Sequence, residues 1–334
     1  METLNASRSA DAEPGRARGG LSALVNPLSF RMSLRERASR TADLVRSHGG
    51  TVFEVSDLDQ IEQALAQIRH GPMDRLIIAG GDGTLQGAVS WLARHVPPES
   101  MPQLVLLSAG RTNYVAEDIG TRSHFLATLQ TVLSRDPERL HPVRRPTLKL
   151  EHPSIGEQHG FFLAGAMVDE VIRFVHDWQS RGTGWLRRRH AASIAGVTAL
   201  ALRRAAGRYR FELPRLKIET DGRGHPEAIL RFLLLSTLNH DRSLVDPYAR
   251  RGAGPLRVTA IRKDAKRLPW RLWKVARGRF SAGMNSDNGY ISGLYRNIVI
   301  HNIRSIVLDG QEFELDRSEA LRVSAGPVFT FQRP

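Results

Sequence analysis

Three glycines and an aspartate occupy one short stretch of the chain, GGDGT from Gly80 to Thr84. Glycines let the backbone approach a ligand closely, and consecutive N–H groups at the start of a helix form a site for an anion. Asp82 is suited to holding a magnesium ion or accepting a proton, and Thr84 to capping the helix or binding a phosphate. The stretch therefore predicts a loop that binds nucleotide phosphates, with an ordinary strand-to-helix turn as the alternative. It is neither a Walker A loop, because no lysine follows, nor a G-x-G-x-x-G fingerprint.

The elements that must position this stretch alternate regularly between strand and helix. Strands are predicted at 21–25, 51–55, 75–79 and 103–108, and helices at 31–48, 57–68, 85–94 and from Tyr114 onward. This order indicates a parallel sheet with crossover helices, a Rossmann-like α/β domain over 21–142. Ligands of such sheets bind beyond the carboxyl ends of the strands. The turns at Gly80 and Gly110 both fall at such ends.

The second part of the chain, 143–334, has a different pattern. Strands are predicted at 148–150, 160–166, 209–212, 216–220, 229–237, 256–261 and 297–308, and helices only around 185–206 and 269–278. We therefore expect a mostly β domain, a sandwich, after the α/β domain. Residues 1–20 are polar, lack the apolar core of a signal peptide and are predicted to form a disordered tail.

The composition excludes some kinds of site and favours others. The 334 residues include no cysteine, which excludes disulfides and thiolate metal sites and fits an intracellular location. The 12 histidines show no ligand spacing, so no zinc site is expected. The net charge of +14 favours phosphates, nucleic acid or anionic lipid headgroups as partners. No apolar run is long enough to cross a membrane.

Four stretches resemble the motifs of one enzyme family. VNPLS at Val25–Ser29 resembles an N-P-x-S opening, Gly80–Thr84 matches GGDGT in full, GRTN at Gly110–Asn113 resembles G-T-x-N, and VLDGQ at Val307–Gln311 resembles V-x-D-G-E. Together they are similar to the diacylglycerol kinase catalytic-domain family, bacterial lipid kinases related to sphingosine and ceramide kinases. This chain resembles a divergent member. The stretches span nearly the whole chain, and GGDGT is the most specific of them.

The resemblance implies an ATP-dependent lipid kinase that phosphorylates the hydroxyl of diacylglycerol or a similar lipid alcohol, with ATP and Mg²⁺ as cofactors. The β domain would close the cleft, help to hold the lipid and return its final strand toward the first domain. The ATP site of the family maps onto three turns, with Asp82 also reaching the magnesium of ATP-Mg. Its residues are Asn26, Pro27, Ser29, Gly80, Gly81, Asp82, Gly83, Thr84, Gly110, Arg111, Thr112 and Asn113.

Several positions depart from the family pattern. Phe30 stands where a glycine usually follows N-P-x-S, which limits how closely that turn can approach a phosphate. Arg111 replaces the threonine of G-T-x-N and can still bind phosphate bidentately, and Tyr114 replaces the aspartate that commonly follows the asparagine. Ala253 stands where the family places the aspartate of a structural metal site, so that metal is not expected.

The largest departure is Gln311, in the slot where the family has a glutamate thought to act as general base. A glutamine cannot accept the proton. Glu312 would point to the other face of a strand, whereas Asp309 would share the face of Gln311 and could take its place, as could Asp82. Phosphoryl transfer is also largely dissociative and needs little help from a base. The candidate catalytic residues are therefore Asp82, Asp309 and Gln311, and a slow or inactive nucleotide- and lipid-binding homologue stays open.

Basic residues are concentrated in two segments, 181–210 and 262–279. The second interleaves them with Trp270, Leu272 and Trp273, a combination typical of an element at a membrane surface. A nucleic-acid surface or a solvated basic helix has the same composition. We favour peripheral contact with the inner face of an anionic membrane, since a lipid kinase in the cytoplasm must reach a substrate in its bilayer. A kinase of a soluble small molecule, similar to the NAD kinases that also carry GGDG, is a further alternative, and a homodimer stays open.

Overall fold

The computed structural model describes residues 20–33, 36–110, 113–121, 125–134, 139–166, 215–239 and 246–334. Several sequence predictions lie outside these ranges: the tail up to residue 19, Arg111, Thr112, the basic segment 181–210, and the elements predicted at 185–206 and 209–212. Helices and strands are numbered over the described residues.

A parallel sheet forms the first half of the described chain. Its strands are β1 (Leu21–Val25), β2 (Thr51–Glu54), β3 (Arg75–Gly80) and β4 (Gln103–Ser108). They lie in the order β2-β1-β3-β4, and each neighbouring pair is parallel. The helices that accompany them are α1 (Arg37–Ser47), α2 (Leu58–Ile68), α3 (Asp82–His95), α4 (Tyr114–Ile119) and α5 (Phe125–Ser134). The α/β fold predicted for this half is confirmed.

The helix α2 shows how the sequence builds this layer. Its apolar side chains recur at the spacing of one helix face, and those from Ile61 to Ile68 are buried in a core that also contains Leu24 and Ile78 of the sheet. Asp57 starts the helix, because its carboxylate accepts a hydrogen bond from the Gln60 N–H at 2.9 Å.

The helix α3 begins earlier than the sequence predicts. Its first residue is Asp82 rather than residue 85, and Gly81 is its N-cap. Three of the five GGDGT residues, Asp82, Gly83 and Thr84, therefore form the first helical turn, and the predicted loop is reduced to a sharp corner between β3 and α3.

The helix α1 begins later than predicted, at Arg37 rather than at residue 31. The reason is a tertiary hydrogen bond, since the Arg31 N–H donates to the Ala109 carbonyl at 2.8 Å and draws the chain toward the end of β4. Glu36, with a left-handed φ of 53°, then turns the chain into the helix.

The rest of the described chain is mostly β, as predicted. Its strands are β5 (His141–His152), β6 (Gly156–Gly160), β7 (Phe162–Gly165), β8 (Arg215–Thr220), β9 (Arg223–Gly224), β10 (Ala228–Ser236), β11 (Leu256–Arg262), β12 (Tyr290–Tyr295), β13 (Asn297–His301), β14 (Ser305–Leu308), β15 (Gln311–Glu314) and β16 (Leu321–Arg333). The helix α6 (Leu268–Ala276) lies between β11 and β12. Among the helices in the described ranges, none is both long and apolar enough to span a bilayer.

These strands form two layers that enclose an apolar core. One layer runs β9-β8-β13-β16-β5-β6, and the other runs β15-β14-β7-β10 and continues through β11 to β12. A short pairing of Ala228 and Ile229 with β8 joins β10 to the first layer. Leucines and isoleucines of both layers fill the space between them.

The strand predicted over 297–308 is two strands, β13 and β14, because the chain turns at Asn302, whose φ of 65° is left-handed. No strand is predicted at β9, β12 or β15, and the strand predicted at 160–166 leaves out most of β6. β12 carries Gly293, and the other three are short and polar, so none shows a clear apolar alternation.

The strand β16 connects the two halves of the fold. Its first part pairs with β13 and β5, and its end reaches β4, where Phe331 pairs in parallel with Leu104. Phe329 and Phe331 are fully buried in the core beneath α2 and α3. The Phe331 ring also lies edge-on to Phe161, with ring centroids 5.8 Å apart. The last strand thus supplies part of the core of the α/β half.

We expect Phe331→Ala to lower the free energy of unfolding by about 3–5 kcal/mol, because it leaves a cavity where the two halves meet. Urea unfolding followed by circular dichroism measures the change. Val328→Ala is the matched control on the same strand; its half-exposed side chain should cost less than about 1 kcal/mol. Equal, small losses for both variants would contradict the anchoring of β16 in the α/β core.

Candidate functional site

Hydrogen bonds connect three turns at the carboxyl ends of β1, β3 and β4. The Asn26 N–H donates to the Ala79 carbonyl at 2.9 Å, and the Ala109 N–H donates to the Gly80 carbonyl at 2.8 Å. The bond from Arg31 to Ala109 ties the first turn to the third. The turns at Gly80 and Gly110 therefore lie side by side at one sheet edge, with Asn26 beside them.

Two glycines make this close approach possible. A Cβ at Gly110 would stand 2.9 Å from the Cα of Gly81, and a Cβ at Gly81 would stand 3.3 Å from the Cα of Gly110. The two backbones touch with no space for a side chain between them. A Cβ at Gly80 would come within 2.6 Å of the Thr84 side chain, so the corner into α3 also requires glycine.

Gly83 is different, because the fold does not require it. Its backbone φ is not left-handed, it is exposed, and a Cβ added there would meet nothing within 4 Å. The N–H groups of Asp82, Gly83 and Thr84 belong to the first turn of a 14-residue helix, where N–H groups have no acceptor within the helix. This turn, which we call the α3 cradle, combines backbone donors with the positive end of the helix dipole beside the exposed Gly83.

A buried hydrogen bond fixes the orientation of the Thr84 hydroxyl. It accepts a hydrogen bond from Asn26 Nδ2 at 3.0 Å and is almost fully buried. Asn26 Oδ1 in turn accepts the Leu28 N–H at 3.0 Å and so fixes the turn after β1. Asn26 and Thr84 are therefore in direct contact, and this contact joins the turn after β1 to the first turn of α3.

The carboxylate of Asp82 is turned toward the start of α4. Its Oδ2 accepts the Tyr114 N–H at 3.3 Å, and the N–H groups of Asn113 and Val115 also stabilise its charge. Burial outweighs these bonds and raises the pKa of Asp82 to about 6. Asp82 thus links the α3 cradle to the turn that follows β4, and it changes charge close to neutral pH.

Asn113 stabilises the turn that follows β4. It lies in the left-handed region with φ of 50°, is almost fully buried, and its Nδ2 donates to the Gly110 carbonyl at 2.7 Å. Arg111 and Thr112, which lie between these two residues, are outside the described ranges.

Asp309 does not lie on an extended strand, and the expectation that it shares a face with Gln311 is wrong. Asp309 and Gly310 have φ of 48° and 87° and form the two-residue turn that joins β14 to β15. The Asp309 carboxylate is buried in this turn and accepts the N–H groups of Phe161 at 2.8 Å and Phe162 at 2.9 Å. Asp309 therefore fastens the hairpin tip to the chain between β6 and β7.

The carboxyl groups of Asp82 and Asp309 interact electrostatically. Burial raises the pKa of Asp309 well above the ordinary carboxyl value, and the charge of Asp82 raises it further. Asp82 is the stronger acid, so it loses its proton first, and its charge then opposes ionisation of Asp309. The two groups therefore ionise in sequence rather than together. Gly160 makes room for this arrangement, because a Cβ there would stand 2.6 Å from Asp309 Oδ2.

Gln311 begins β15, where it pairs with Leu308 across the turn, and its side chain is half-buried. Glu312, the next residue, is exposed. Of the three candidate catalytic residues, the structure brings Asp82 and Asp309 into electrostatic contact and places Gln311 two residues beyond Asp309 on the same hairpin.

Sequence reasoning missed a polar cluster that holds α4 in place. Asp118 of α4 pairs with Arg145 of β5 at 2.6 Å, and both side chains are largely buried. The other carboxylate oxygen of Asp118 accepts the Asn239 N–H at 3.0 Å. Tyr114 packs edge-on against Phe162 with ring centroids 4.9 Å apart. No motif or spacing marks Asp118 in the sequence, because its partners lie far away along the chain.

The turn after β1 carries the remaining candidates, Pro27 and Ser29. The Ser29 N–H donates to the Asn26 carbonyl at 3.1 Å, which keeps the turn tight. The neighbouring side chains of Leu28 and Phe30 are exposed and apolar. Phe30 therefore exposes an apolar ring on the turn that Arg31 ties to the end of β4.

A resident metal site is not evident in the described ranges, because no three His, Asp or Glu side chains there converge on one position. Asp82, the carboxylate assigned to magnesium by resemblance, has the geometry of a group that caps α4.

Residues 21–144 match the family model of the diacylglycerol kinase catalytic domain. The resemblance predicted from the sequence is confirmed over these residues, which include the Asn26, Gly80 and Gly110 turns. No curated protein sequence matches the chain.

Solved structures show the same fold over nearly the whole chain. A Bacillus anthracis protein provisionally assigned as a diacylglycerol kinase aligns with a TM-score of 0.65 and 11% identity, covering 96% of this chain and 99% of its own. A diacylglycerol kinase of the same organism aligns with a TM-score of 0.61 and 12% identity, covering 96% of this chain and 98% of its own. At such low identity these likenesses establish the fold and leave the activity to be argued from the site.

Gly83→Ala and Gly110→Ala should separate ligand binding from folding. We expect Gly83→Ala to keep or slightly raise stability, by up to about 1 kcal/mol, because alanine is the better helix former. It should weaken ATP binding about tenfold, since its methyl group enters the α3 cradle. Gly110→Ala should lower stability by about 1–3 kcal/mol, because its Cβ would press on the Gly81 backbone. Urea unfolding and isothermal titration with ATP measure both effects. Unchanged ATP affinity in folded Gly83→Ala would remove the cradle as the phosphate site.

Asp309→Ala should destabilise the fold by about 2–4 kcal/mol near pH 5, since it leaves two buried N–H groups without an acceptor. The pKa of Asp309 is raised in the folded chain. Its contribution is therefore complete below the unfolded pKa and declines as pH rises through the folded pKa, so the loss should be smaller near pH 8. Urea unfolding at several pH values measures the trend, with Gln311→Ala as a nearly silent control. A loss that grows with pH would contradict this account.

Proposed function

We propose that this chain is an ATP-dependent kinase that phosphorylates the hydroxyl group of diacylglycerol or a similar lipid alcohol. The family match over residues 21–144 supports a kinase. The observation that carries the proposal is the α3 cradle, where N–H groups without an acceptor in the helix lie at the exposed Gly83, beside two touching glycine turns.

The cradle suits the phosphates of a nucleotide for three reasons. Its donors are backbone groups held by the fold, so they need no reorganisation when a phosphate arrives. The helix dipole adds a favourable field for negative charge. Gly83 contributes no side chain, so a phosphate can approach the backbone as closely as hydrogen bonding requires. Arg111 and Thr112 of the neighbouring turn remain proposed contacts to the same phosphates.

We assign proton acceptance to Asp82. Gln311 has no basic group, and Asp309 is almost fully buried, whereas Asp82 is partly exposed at the sheet edge. Asp82 has a pKa of about 6, so it is ionised at neutral pH and close to the value that favours general base catalysis. The dissociative character of phosphoryl transfer lowers the demand on this base.

Magnesium would arrive with the nucleotide and would neutralise charge on its phosphates. Asp82 is the carboxylate that the family resemblance assigns to this ion. The Asp82 oxygens accept backbone N–H groups at the start of α4, so the described residues do not form a preformed metal site.

The lipid acceptor is supported by the family match and by the surface near the cradle. Leu28 and Phe30 expose apolar side chains on the adjoining turn, which suits an amphiphilic acceptor better than a soluble and highly charged one such as NAD. The basic segments 181–210 and 262–279 favour peripheral contact with an anionic membrane, and we place the enzyme at the cytoplasmic face of such a membrane.

A phosphoryl-transfer assay with radiolabelled ATP, magnesium and diacylglycerol in mixed micelles tests the proposal. The chain should label the lipid, and log kcat should fall below about pH 6 as Asp82 becomes protonated. Asp82→Asn should lower kcat by about 10²–10⁴ while ATP affinity changes little. The asparagine keeps an oxygen that can accept the α4 N–H groups, so the fold should survive.

Gln311→Glu is the decisive comparison. If only this variant labels lipid, the natural chain is a nucleotide- and lipid-binding homologue without turnover, and the kinase proposal fails. Labelling of NAD in place of lipid would instead favour the small-molecule kinase. Unchanged activity in folded Asp82→Asn would show that Asp82 is not the proton acceptor.

A further inference from the structure

The helix α6 concentrates the exposed apolar surface of the protein. Three of the seven large apolar side chains that are exposed in the described ranges, Trp270, Leu272 and Trp273, lie on this one short helix. Their exposed fractions are 82%, 49% and 55%. Leaving two tryptophans in water is unfavourable, so this helix is a candidate for contact with a partner.

The inner face of α6 is firmly attached. Leu268 and Val275 are buried in an apolar cluster with Met284 and Tyr290. Arg271 also folds inward: its Nη1 donates to the Gly283 carbonyl at 2.9 Å, and its guanidinium lies 5.7 Å from the centre of the Tyr290 ring. The helix is therefore a rigid platform, and its exposed side chains are held in a fixed orientation.

The tryptophans lie opposite this attachment. At about 100° per residue, Trp270 and Trp273 point away from Leu268 and Val275, while Leu272 lies between the two faces. Lys274 stays on the outer face, with its Nζ 5.8 Å from the centre of the Trp273 ring. The outer face thus carries two indole rings, with a lysine cation close to one of them.

Cations surround this outer face without acidic residues among them. The sequence carries no aspartate or glutamate from Ala265 to Ser286. The exposed cations of the helix and its flanks are Lys263, Lys266, Arg267, Arg277 and Arg279. Of the acids that flank this stretch, Asp264 is paired with Arg262 at 2.9 Å and Asp246 with Arg257 at 3.3 Å, while Asp287 lies just beyond it. The patch therefore carries a strong net positive charge.

We propose that α6 is a membrane-docking element, in which Trp270 and Trp273 enter the headgroup region of a bilayer and the surrounding cations bind anionic lipids. Indole rings favour the membrane interface, where one side is apolar and the other is wet. Lysine and arginine add attraction to an anionic leaflet. A short helix lying in the interface needs no span, which agrees with its nine residues.

Charge makes the other occupants less suitable. In a symmetric contact between two copies, the same patch meets itself, and its cations would face one another. A single-stranded nucleic acid could stack bases on the tryptophans, but Leu272 offers nothing to a base and suits an acyl chain. The inference rests on the proposed function only for its purpose, which is to bring a lipid kinase to its substrate.

Flotation of the full chain with vesicles tests the inference without nucleotide and without catalysis. We expect binding to vesicles that contain phosphatidylglycerol, and weaker binding to vesicles of phosphatidylcholine alone. Trp270→Ser/Trp273→Ser should lower the partition coefficient at least about tenfold. Lys274→Gln/Arg277→Gln should lower it about fivefold for each removed charge. Circular dichroism should show all variants folded.

Matched controls lie on α2, where Leu58 is exposed and apolar and Arg69 is an exposed cation. Leu58→Ser and Arg69→Gln should leave vesicle binding unchanged. Failure of the folded chain to bind anionic vesicles, or undiminished binding by the tryptophan variant, would overturn the inference. So would a dimer that becomes monomeric in the tryptophan variant, or binding to single-stranded DNA that exceeds binding to vesicles.

The two proposals fail in different ways. Vesicle binding that depends on the tryptophans, without any lipid labelling, would remove the kinase and keep the docking element. A chain that labels lipid in mixed micelles but does not bind vesicles would keep the kinase proposal and remove the docking element.

Discussion

The contact between Gly81 and Gly110 is the constraint on which the rest of the site depends. Two backbone turns, from the ends of neighbouring strands, meet there with no side chain between them. The bond from the Ala109 N–H to the Gly80 carbonyl keeps them in register. Because the turns touch, the Asp82 carboxylate reaches the start of α4, and Gly83 is left as the exposed residue of the first turn of α3. A Cβ at Gly110 would stand 2.9 Å from the Gly81 Cα and force the two turns to shift, and a Cβ at Gly81 would press on Gly110 less severely, at 3.3 Å.

Both acids of the site bind backbone N–H groups. Asp82 joins α3 to α4, and Asp309 joins the β14–β15 hairpin to the chain after β6. These bonds lie within each half, and the electrostatic interaction between Asp82 and Asp309 couples the α/β half to the β half. A carboxylate that accepts backbone N–H groups orders the loops around a ligand. It can take part in proton transfer only through an oxygen that these N–H groups leave accessible. This distinction explains why a sequence motif with an intact aspartate does not by itself establish turnover.

Much of the fold was predictable from the sequence, because it depends on local patterns. The alternation of strands and helices, the buried face of α2 and the corner at Gly80 all follow from spacing and from glycine chemistry. For the candidate site, the glycine turns at Gly80 and Gly110 could be placed at one sheet edge from the sequence. The prediction was wrong at Asp309, because Asp309 and Gly310 form a tight turn and do not continue the strand. The Asp118–Arg145 pair and the late start of α1 depend on partners distant in the chain, and a single sequence carries no signal for them.

The pairing of β16 with β4 has a consequence for the order of assembly. Gln332 bonds to Gln103 across a separation of 229 residues. Until that last strand arrives, β4 is an unpaired edge of an otherwise complete parallel sheet, and the places of Phe329 and Phe331 are empty. Contacts of such long range form slowly, and an open apolar edge is prone to pair with other chains. The α/β half therefore cannot mature ahead of the β half, and the interval before β16 docks is the period in which this protein is most exposed to aggregation and to chaperones.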